Sequence, residues 1–158
     1  MAIYLKIDGI DGDVTAAGHE NWVECDSMEW SVTRSLTTKP GQGKDRESTT
    51  PVVGEITLTT KMDKTSPLFF AESCVGQGKT AKIHMAQTSS SGIETYMEYT
   101  LTNTLISGYS VMSNGDRPVE AISLNFTKVE MKYTTWNEQH QPEGSVPAGY
   151  DIATGVRL

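Results

Sequence analysis

Along most of the chain apolar residues recur at every second position, the period of a half-buried β-strand. Ile3, Leu5 and Ile7 alternate with Tyr4 and Lys6, and Met28, Trp30 and Val32 with Glu29, Ser31 and Thr33. Ile56 and Leu58 alternate with Thr57 and Thr59, and Ala81, Ile83 and Met85 with Lys82 and His84. A longer run sets Tyr99, Leu101, Asn103 and Leu105 against Thr100, Thr102 and Thr104. In the last long strand Ile122, Leu124 and Phe126 share one parity, then Val129, Met131 and Tyr133 take the other. One extra residue in a strand switches parity, so a β-bulge is predicted near Thr127-Lys128. Turn residues separate these runs at 8–13, 89–92 and 113–116, where Asn114-Gly115 is a hairpin signal.

One segment breaks the alternation. Residues 65–76 carry a cap candidate, Pro67 in the first turn and Gly76 at the end, which predicts one short helix oriented by Leu68, Phe69 and Glu72. Six to eight strands with one helix make the chain mainly β, a closed barrel or a sandwich. Two stretches do not fit a compact domain. Residues 37–51 form a long polar connection carrying Lys39, Gln42, Lys44, Asp45, Arg46 and Glu47, and long unstructured connections are uncommon unless functional. The tail 137–158 is polar and then turns apolar again around Tyr150, as a last docking segment would. The whole length of 158 residues reads as a single domain.

Composition narrows the function classes. With 13 basic and 20 acidic residues the net charge is −7, which argues against nucleic acid or an anionic membrane as partner, since both need clustered Lys and Arg. No apolar run is long enough for a membrane-inserted helix. The start lacks the basic and long apolar segments of a secretory signal. Cys25 and Cys74 form no paired motif and read as reduced thiols, consistent with folding in the cytoplasm.

Candidate chemistry is weak throughout. Gly78-Lys79-Thr80 resembles the end of a phosphate loop, but Ser73 stands where the first glycine belongs. The motif also follows the expected helix, so carbonyls rather than N–H groups would face a phosphate. Asp11, Asp13 and Thr15 resemble half of a calcium loop, whose twelfth position is Trp22 instead of a glutamate. His19, His84 and His140 have no metal-ligand spacing. Glu24 with Asp26, or Glu94 with Glu98, could share a strand face, which is ordinary for an acidic surface. Neither a catalytic residue, nor a metal, nor a cofactor is assigned. The Thr-rich strand faces read as solvent surface or as a neutral wall against a second copy or a water-filled channel.

The ordered set of segments resembles the Hcp family, the haemolysin-coregulated tube proteins of type VI secretion. Ile7 to Thr15, Met28-Glu29-Trp30-Ser31, Asp63-Lys64-Thr65-Ser66-Pro67-Leu68, Gly78-Lys79, the run from Ile122 to Tyr133 and Gly149-Tyr150-Asp151 carry the resemblance nearly end to end. It implies a two-sheet β-barrel with one short α-helix at its side and a long extended loop, a homo-hexamer closing as a ring, and stacked rings forming a tube. It also implies sheath subunits, a spike protein and secreted effectors as partners, with assembly in the cytoplasm and export without a signal peptide. In that frame Ser31 faces the lumen, residues 37–51 reach a neighbouring ring or protomer, and Tyr150 and Asp151 belong to the docked tail. This chain differs from many members in the charges of that long connection, and in Tyr150 where a Trp is commoner. The alternative reading is a monomeric β-sandwich module binding glycan or peptide.

Overall fold

The computed structural model describes residues 1–48 and 50–158, and the side chains of all these except 42–48. The described chain runs β1 (Ala2–Ile7), β2 (Val23–Glu29), β3 (Val32–Thr33), β4 (Leu36–Lys39), β5 (Gln42–Ser48), β6 (Val52–Val53) and β7 (Ile56–Lys61). It continues through α1 (Ser66–Cys74), β8 (Lys79–Ser89), β9 (Gly92–Met112), β10 (Val119–Asn125), β11 (Lys128–Trp136), β12 (Pro142–Asp151) and β13 (Val156–Arg157). Six strands close on themselves in the order β10-β7-β2-β1-β8-β9, with β9 returning to β10. Closure depends on the 21-residue β9, whose first part lies between β8 and β11 and whose last part pairs with β10. A closed sheet leaves none of these strands with a bare edge. Beyond the barrel, β11, β12 and β13 extend the same sheet, and β3–β6 and β4–β5 are two small additional sheets.

The alternation seen in sequence fills the barrel. Leu5, Ile56, Leu58, Ile83, Leu101 and Leu124 are each 0% exposed and form one core. Each such side chain contributes about 1.5–3 kcal/mol by leaving water. Phe69 of α1 is also fully buried, and it closes the side of the core against β9. Leu68, expected to orient the helix with it, is 43% exposed instead. Phe69 is the one buried apolar side chain of α1, and hydrogen bonds at the helix start fix how it enters. Asp63 Oδ1 accepts the Thr65 N–H at 2.8 Å, the Asp63 N–H donates to Ser66 Oγ at 3.1 Å, and Pro67 starts the first turn. Ser66 Oγ also donates to Glu120 Oε1 at 2.7 Å, and the Tyr109 hydroxyl donates to the other oxygen of that carboxylate. The helix ends at Cys74, capped by the Val75 N–H to the Ala71 carbonyl at 3.0 Å, and at Gly76 beyond it a Cβ would lie 2.5 Å from the Glu72 carbonyl oxygen.

The long alternating run expected from Tyr99 to Leu105 does not persist. Tyr99 and Leu101 point inward, but the next inward residues are Thr104 (4% exposed) and Ile106, while Leu105 is 41% exposed. The switch falls at Asn103, whose φ is +52°. On the β8 side Lys79 pairs with Thr104 and Ala81 with Leu101, so β9 holds one extra residue there. Asn103 has room for this only because residue 78 is glycine: a Cβ on Gly78 would lie 1.6 Å from Asn103 Oδ1. Across the sheet, the parity switch predicted near Thr127-Lys128 is present, but as a break between two strands, β10 and β11, and not as a bulge within one. There Phe126 and Val129 are both buried, and the Thr127 N–H donates to the Thr102 carbonyl at 3.1 Å. Both strands therefore turn over at one level of the barrel.

The connection 37–51 also differs from an unstructured loop. Its backbone forms the β4–β5 hairpin, with Thr37 opposite Glu47, Thr38 opposite Arg46, and Lys39 opposite Gln42. Between them Pro40-Gly41 makes the turn, with Gly41 at φ +80°, the conformation a Pro-Gly turn requires. The polar tail becomes β12, paired along β11 from Lys128–Asp151 to Trp136–Pro142.

Candidate functional site

The barrel presents two unlike walls. On β2, β7, β10 and the end of β9, the residues pointing away from the core include Ser27, Thr57, Thr59, Ala121, Ser123, Gly108 and Ser110. Their hydroxyls satisfy one another, with Ser27 Oγ 2.6 Å from Thr59 Oγ1 and Thr57 Oγ1 3.4 Å from Ser123 Oγ. These short side chains make a neutral, polar wall, with Glu29 at its margin opposite Thr57. Ser31, exposed and opposite Trp30 in parity, continues the outward side of β2 at the end of this wall. Its carbonyl accepts the Gly54 N–H at 2.9 Å, and a Cβ on Gly54 would meet that oxygen at 2.8 Å.

The opposite wall, on β1, β8, the first half of β9 and β11, carries a ladder of charges. Tyr4, His84, Glu98 and Lys132 lie across one row, and Lys6, Lys82, Thr100 and Glu130 across the next. Glu98 Oε2 takes Lys132 Nζ at 2.9 Å. The Thr-rich stripe expected across both regions is thus divided. Thr57 and Thr59 sit on the neutral wall, Thr100 in the charged ladder, and Thr104 in the core.

The arm rises from the β3–β6 pair, in which Val32 faces Val53 and Thr33 faces Val52. All four residues of β4, Lys39 included, are exposed. Lys44, Asp45, Arg46, Glu47 and Gln42 occupy β5, and their side chains lie outside the described residues. Near the arm's base, Trp30, Val53, Met131, Tyr150 and Arg157 line an apolar groove of about 450 Å³. Tyr150 also packs against the core, Asp151 Oδ1 accepts the Thr154 N–H at 3.1 Å, and the Leu158 N–H returns to the Gly149 carbonyl at 3.0 Å. Gly149 allows this return, since a Cβ there would lie 3.0 Å from Leu158.

The residues with chemical potential are placed apart. Lys79 of the phosphate-loop-like segment bonds Glu72 Oε1 of the preceding helix at 2.6 Å, so its charge is already used. Asp11 pairs with Lys6 and Asp13 with Lys64, on separate partners. Glu94 and Glu98 do not meet as a pair. Glu94 is buried with Gln87 at 3.0 Å and His140 at 2.8 Å; burial pushes its carboxyl up, but these hydrogen bonds outweigh burial and hold it low. Burial, with Asp26, Glu24 and Asp63 nearby, pushes the Cys25 thiol far up, away from a reactive thiolate. Among the described residues no three His, Cys, Asp or Glu converge as a metal site needs, and no helix is long and apolar enough to cross a membrane. What sequence spacing missed is a histidine pair. His19 Nε2 lies 3.0 Å from His84 Nδ1, although 65 residues separate them, and no local motif signals such a contact.

The comparisons agree with this architecture. The family model for the type VI secretion system effector Hcp matches residues 4–133. A solved type six secretion system protein superposes with a TM-score of 0.90 at 21% identity, covering 99% of each chain, which shows the shared fold. Hcp1 from Salmonella typhimurium is similar with a TM-score of 0.79 at 26% identity, over 99% of this chain and 98% of that one. Hcp2 from the same organism gives 0.71 at 25% identity over 97% of each chain. No curated protein matches at a significant level. With its closed barrel, flanking helix and a family match over most of its length, the chain belongs to the Hcp family of type VI secretion.

Proposed function

We propose that this chain is a single-domain structural subunit of the type VI inner tube, closing as rings of six that stack and leave the cell. The observation that carries the reading is the Hcp family match across residues 4–133 on a closed barrel. Sheath subunits, a spike protein and effectors are the partners of such a tube, and the role requires no catalytic centre. The neutral wall suits a lumen, because a wall of one charge would hold or repel passing cargo according to its own charge. Ser31 stands at the end of that wall and faces the lumen in this assignment. The β4–β5 arm suits contact with another ring, since β4 is exposed along its length and an exposed ribbon buries little of its own apolar surface. Tyr150 and Asp151 fix the tail beside the base of that arm.

A head-to-tail contact whose rotation closes gives a ring. Native mass measurement should therefore find six copies of the 17.3 kDa chain, and electron microscopy should show annular particles with an open channel. A stable monomer across micromolar concentrations would overturn the tube reading and favour a monomeric glycan- or peptide-binding module.

A further inference from the structure

We infer that His19 and His84 form a pH-operated latch, which fastens residues 11–22 to the barrel wall while both rings are neutral and releases them when the pair takes up protons. The segment's backbone is tied mainly to itself: the Gly12 N–H donates to the Asn21 carbonyl at 2.8 Å, Val14 to Trp22 at 3.1 Å, and Asn21 to Val14 at 2.8 Å, while the exposed pairs Asp11–Lys6 and Asp13–Lys64 hold its first residues from outside. His19 is its peg. Only 4% exposed, its ring stacks on Tyr4 of β1 with centroids 4.5 Å apart and meets the Trp22 ring edge-on at 4.8 Å. Its Nε2 lies 3.0 Å from Nδ1 of His84, on β8.

The other contacts of His84 assign the protons. His84 Nε2 faces Glu98 Oε1 at 3.4 Å, so the ring proton belongs on that side. Nδ1 is then an acceptor, and His19 Nε2–H is the donor. His19 Nδ1 is then left unprotonated and buried beside the Ala17 backbone. This arrangement uses one proton per ring. Adding a proton to His84 sets N–H against N–H across 3.0 Å unless His19 moves its own proton to Nδ1. A second added proton leaves no arrangement that keeps the bond.

The groups facing the pair come from every packed element: Tyr4 on β1, Glu24 beside it on β2, Lys82 on β8, Glu98 on β9, Lys132 on β11, and Glu20 in the segment itself. Burial is the largest influence on both rings and disfavours the cation. At His84 it is opposed by Glu98 and reinforced by His19, Lys82 and Lys132, and the ring is held down to about 4. At His19 burial outweighs the Ala17 backbone, Glu20 and Glu98, and the ring is also held low. Released into water, each histidine returns to about 6.5. The closed form therefore binds fewer protons than the open form, and acidification from about 6.5 towards 4 favours opening. On the export reading above, the order of this segment would respond to the medium the protein enters.

Hydrogen exchange of the full chain, corrected for the intrinsic pH dependence of amide chemistry, tests the latch. Between pH 7.5 and 4.5 the amides of residues 12–22 should exchange at least about tenfold faster, while those of Leu5 and Ile83 stay unchanged. His84→Gln keeps an acceptor for His19 but cannot take up the proton, so the response should shrink to the part that His19 alone contributes. Nitrogen-detected histidine spectra of the unaltered protein should show the His19 Nε2–H tautomer and His84 neutral well below its ordinary range. A segment whose exchange is indifferent to pH, an equal response in His84→Gln, barrel amides rising in step, or His84 titrating at its ordinary value would each overturn the latch. None of these measurements depends on ring formation or export, so their failure would leave the tube reading intact.

Discussion

At the scale of single residues, the chain spends its buried polarity on attaching one element to another. Glu120 is 1% exposed, yet its carboxylate takes hydrogen bonds from Ser66 on α1 and Tyr109 on β9. Burial first, and then the adjacent carboxylate, push the Tyr109 hydroxyl up to about 12, so it stays a donor at any ordinary pH. A buried carboxylate is tolerated only when its oxygens are satisfied. Tyr109→Phe removes one donor without changing the ring, and should lower the unfolding free energy by about 1–3 kcal/mol. Urea denaturation of the variant beside the parent measures this. An unchanged midpoint would show that Glu120 draws no stability from Tyr109. Sequence gave no hint of the pairing, because Ser66, Tyr109 and Glu120 lie on three elements that meet only after the barrel closes. The His19–His84 contact was hidden for the same reason.

At the scale of elements, period two located β1, β7, β8 and the central part of β9, because each buries one face against the same core; the strand read at Met28–Thr33 meets β2 only at Met28 and Glu29, and its Val32 lies in β3, exposed. The alternation failed where the backbone inserts a residue. Reading straight through Asn103 puts Leu105 in the core and Thr104 outside, whereas the turn at φ +52° exchanges them. The outside signal lay in the connection before β8, in the glycine at 78 that leaves space for Asn103 Oδ1. The exchange is measurable. Thr104 Oγ1 is buried with no hydrogen-bond partner among the described residues, so Thr104→Val should hold or raise stability. Leu105→Ser should cost under about 1 kcal/mol at its exposed position. Ile106→Ala should cost about 2–5 kcal/mol by opening a cavity. Uninterrupted alternation predicts a severe loss for Leu105→Ser and little for Ile106→Ala, so thermal unfolding of the three variants separates the two geometries. The arm was misjudged for a different reason. Residues 37–51 offer no apolar stripe to mark strands, only turn residues such as Pro40-Gly41.

At the scale of the whole molecule, the proposed tube would divide the work of assembly between the two walls and the arm. A ribbon of mixed charge such as β4–β5 has no core of its own, and what it gains energetically must come from a partner surface. On the proposed tube, Lys44 and Arg46, alternate residues of β5, supply the arm's positive charge to the next ring. A rim contact between exposed charges contributes only about 0.2–1 kcal/mol. A ring would present the contact in every subunit at once, and linked contacts multiply the affinity of the whole without strengthening any one of them. Reversing Lys44 and Arg46 to glutamate together should therefore leave the barrel's thermal midpoint within about 2 °C of the parent, since surface changes stay near 0.5 kcal/mol. Rings should persist in native mass measurements if strand faces make the lateral contacts. Stacked tubes in electron microscopy should be lost or shortened, and export should fall with them. The stacking should also weaken as salt is raised in the parent, because exposed charges are screened over about 10 Å at 0.1 M ionic strength. Normal tubes and normal export from the double variant would remove the arm's cations from the assembly mechanism. Loss of folding would instead place these residues in the support of the barrel, where a hairpin exposed along β4 gives them no reason to be.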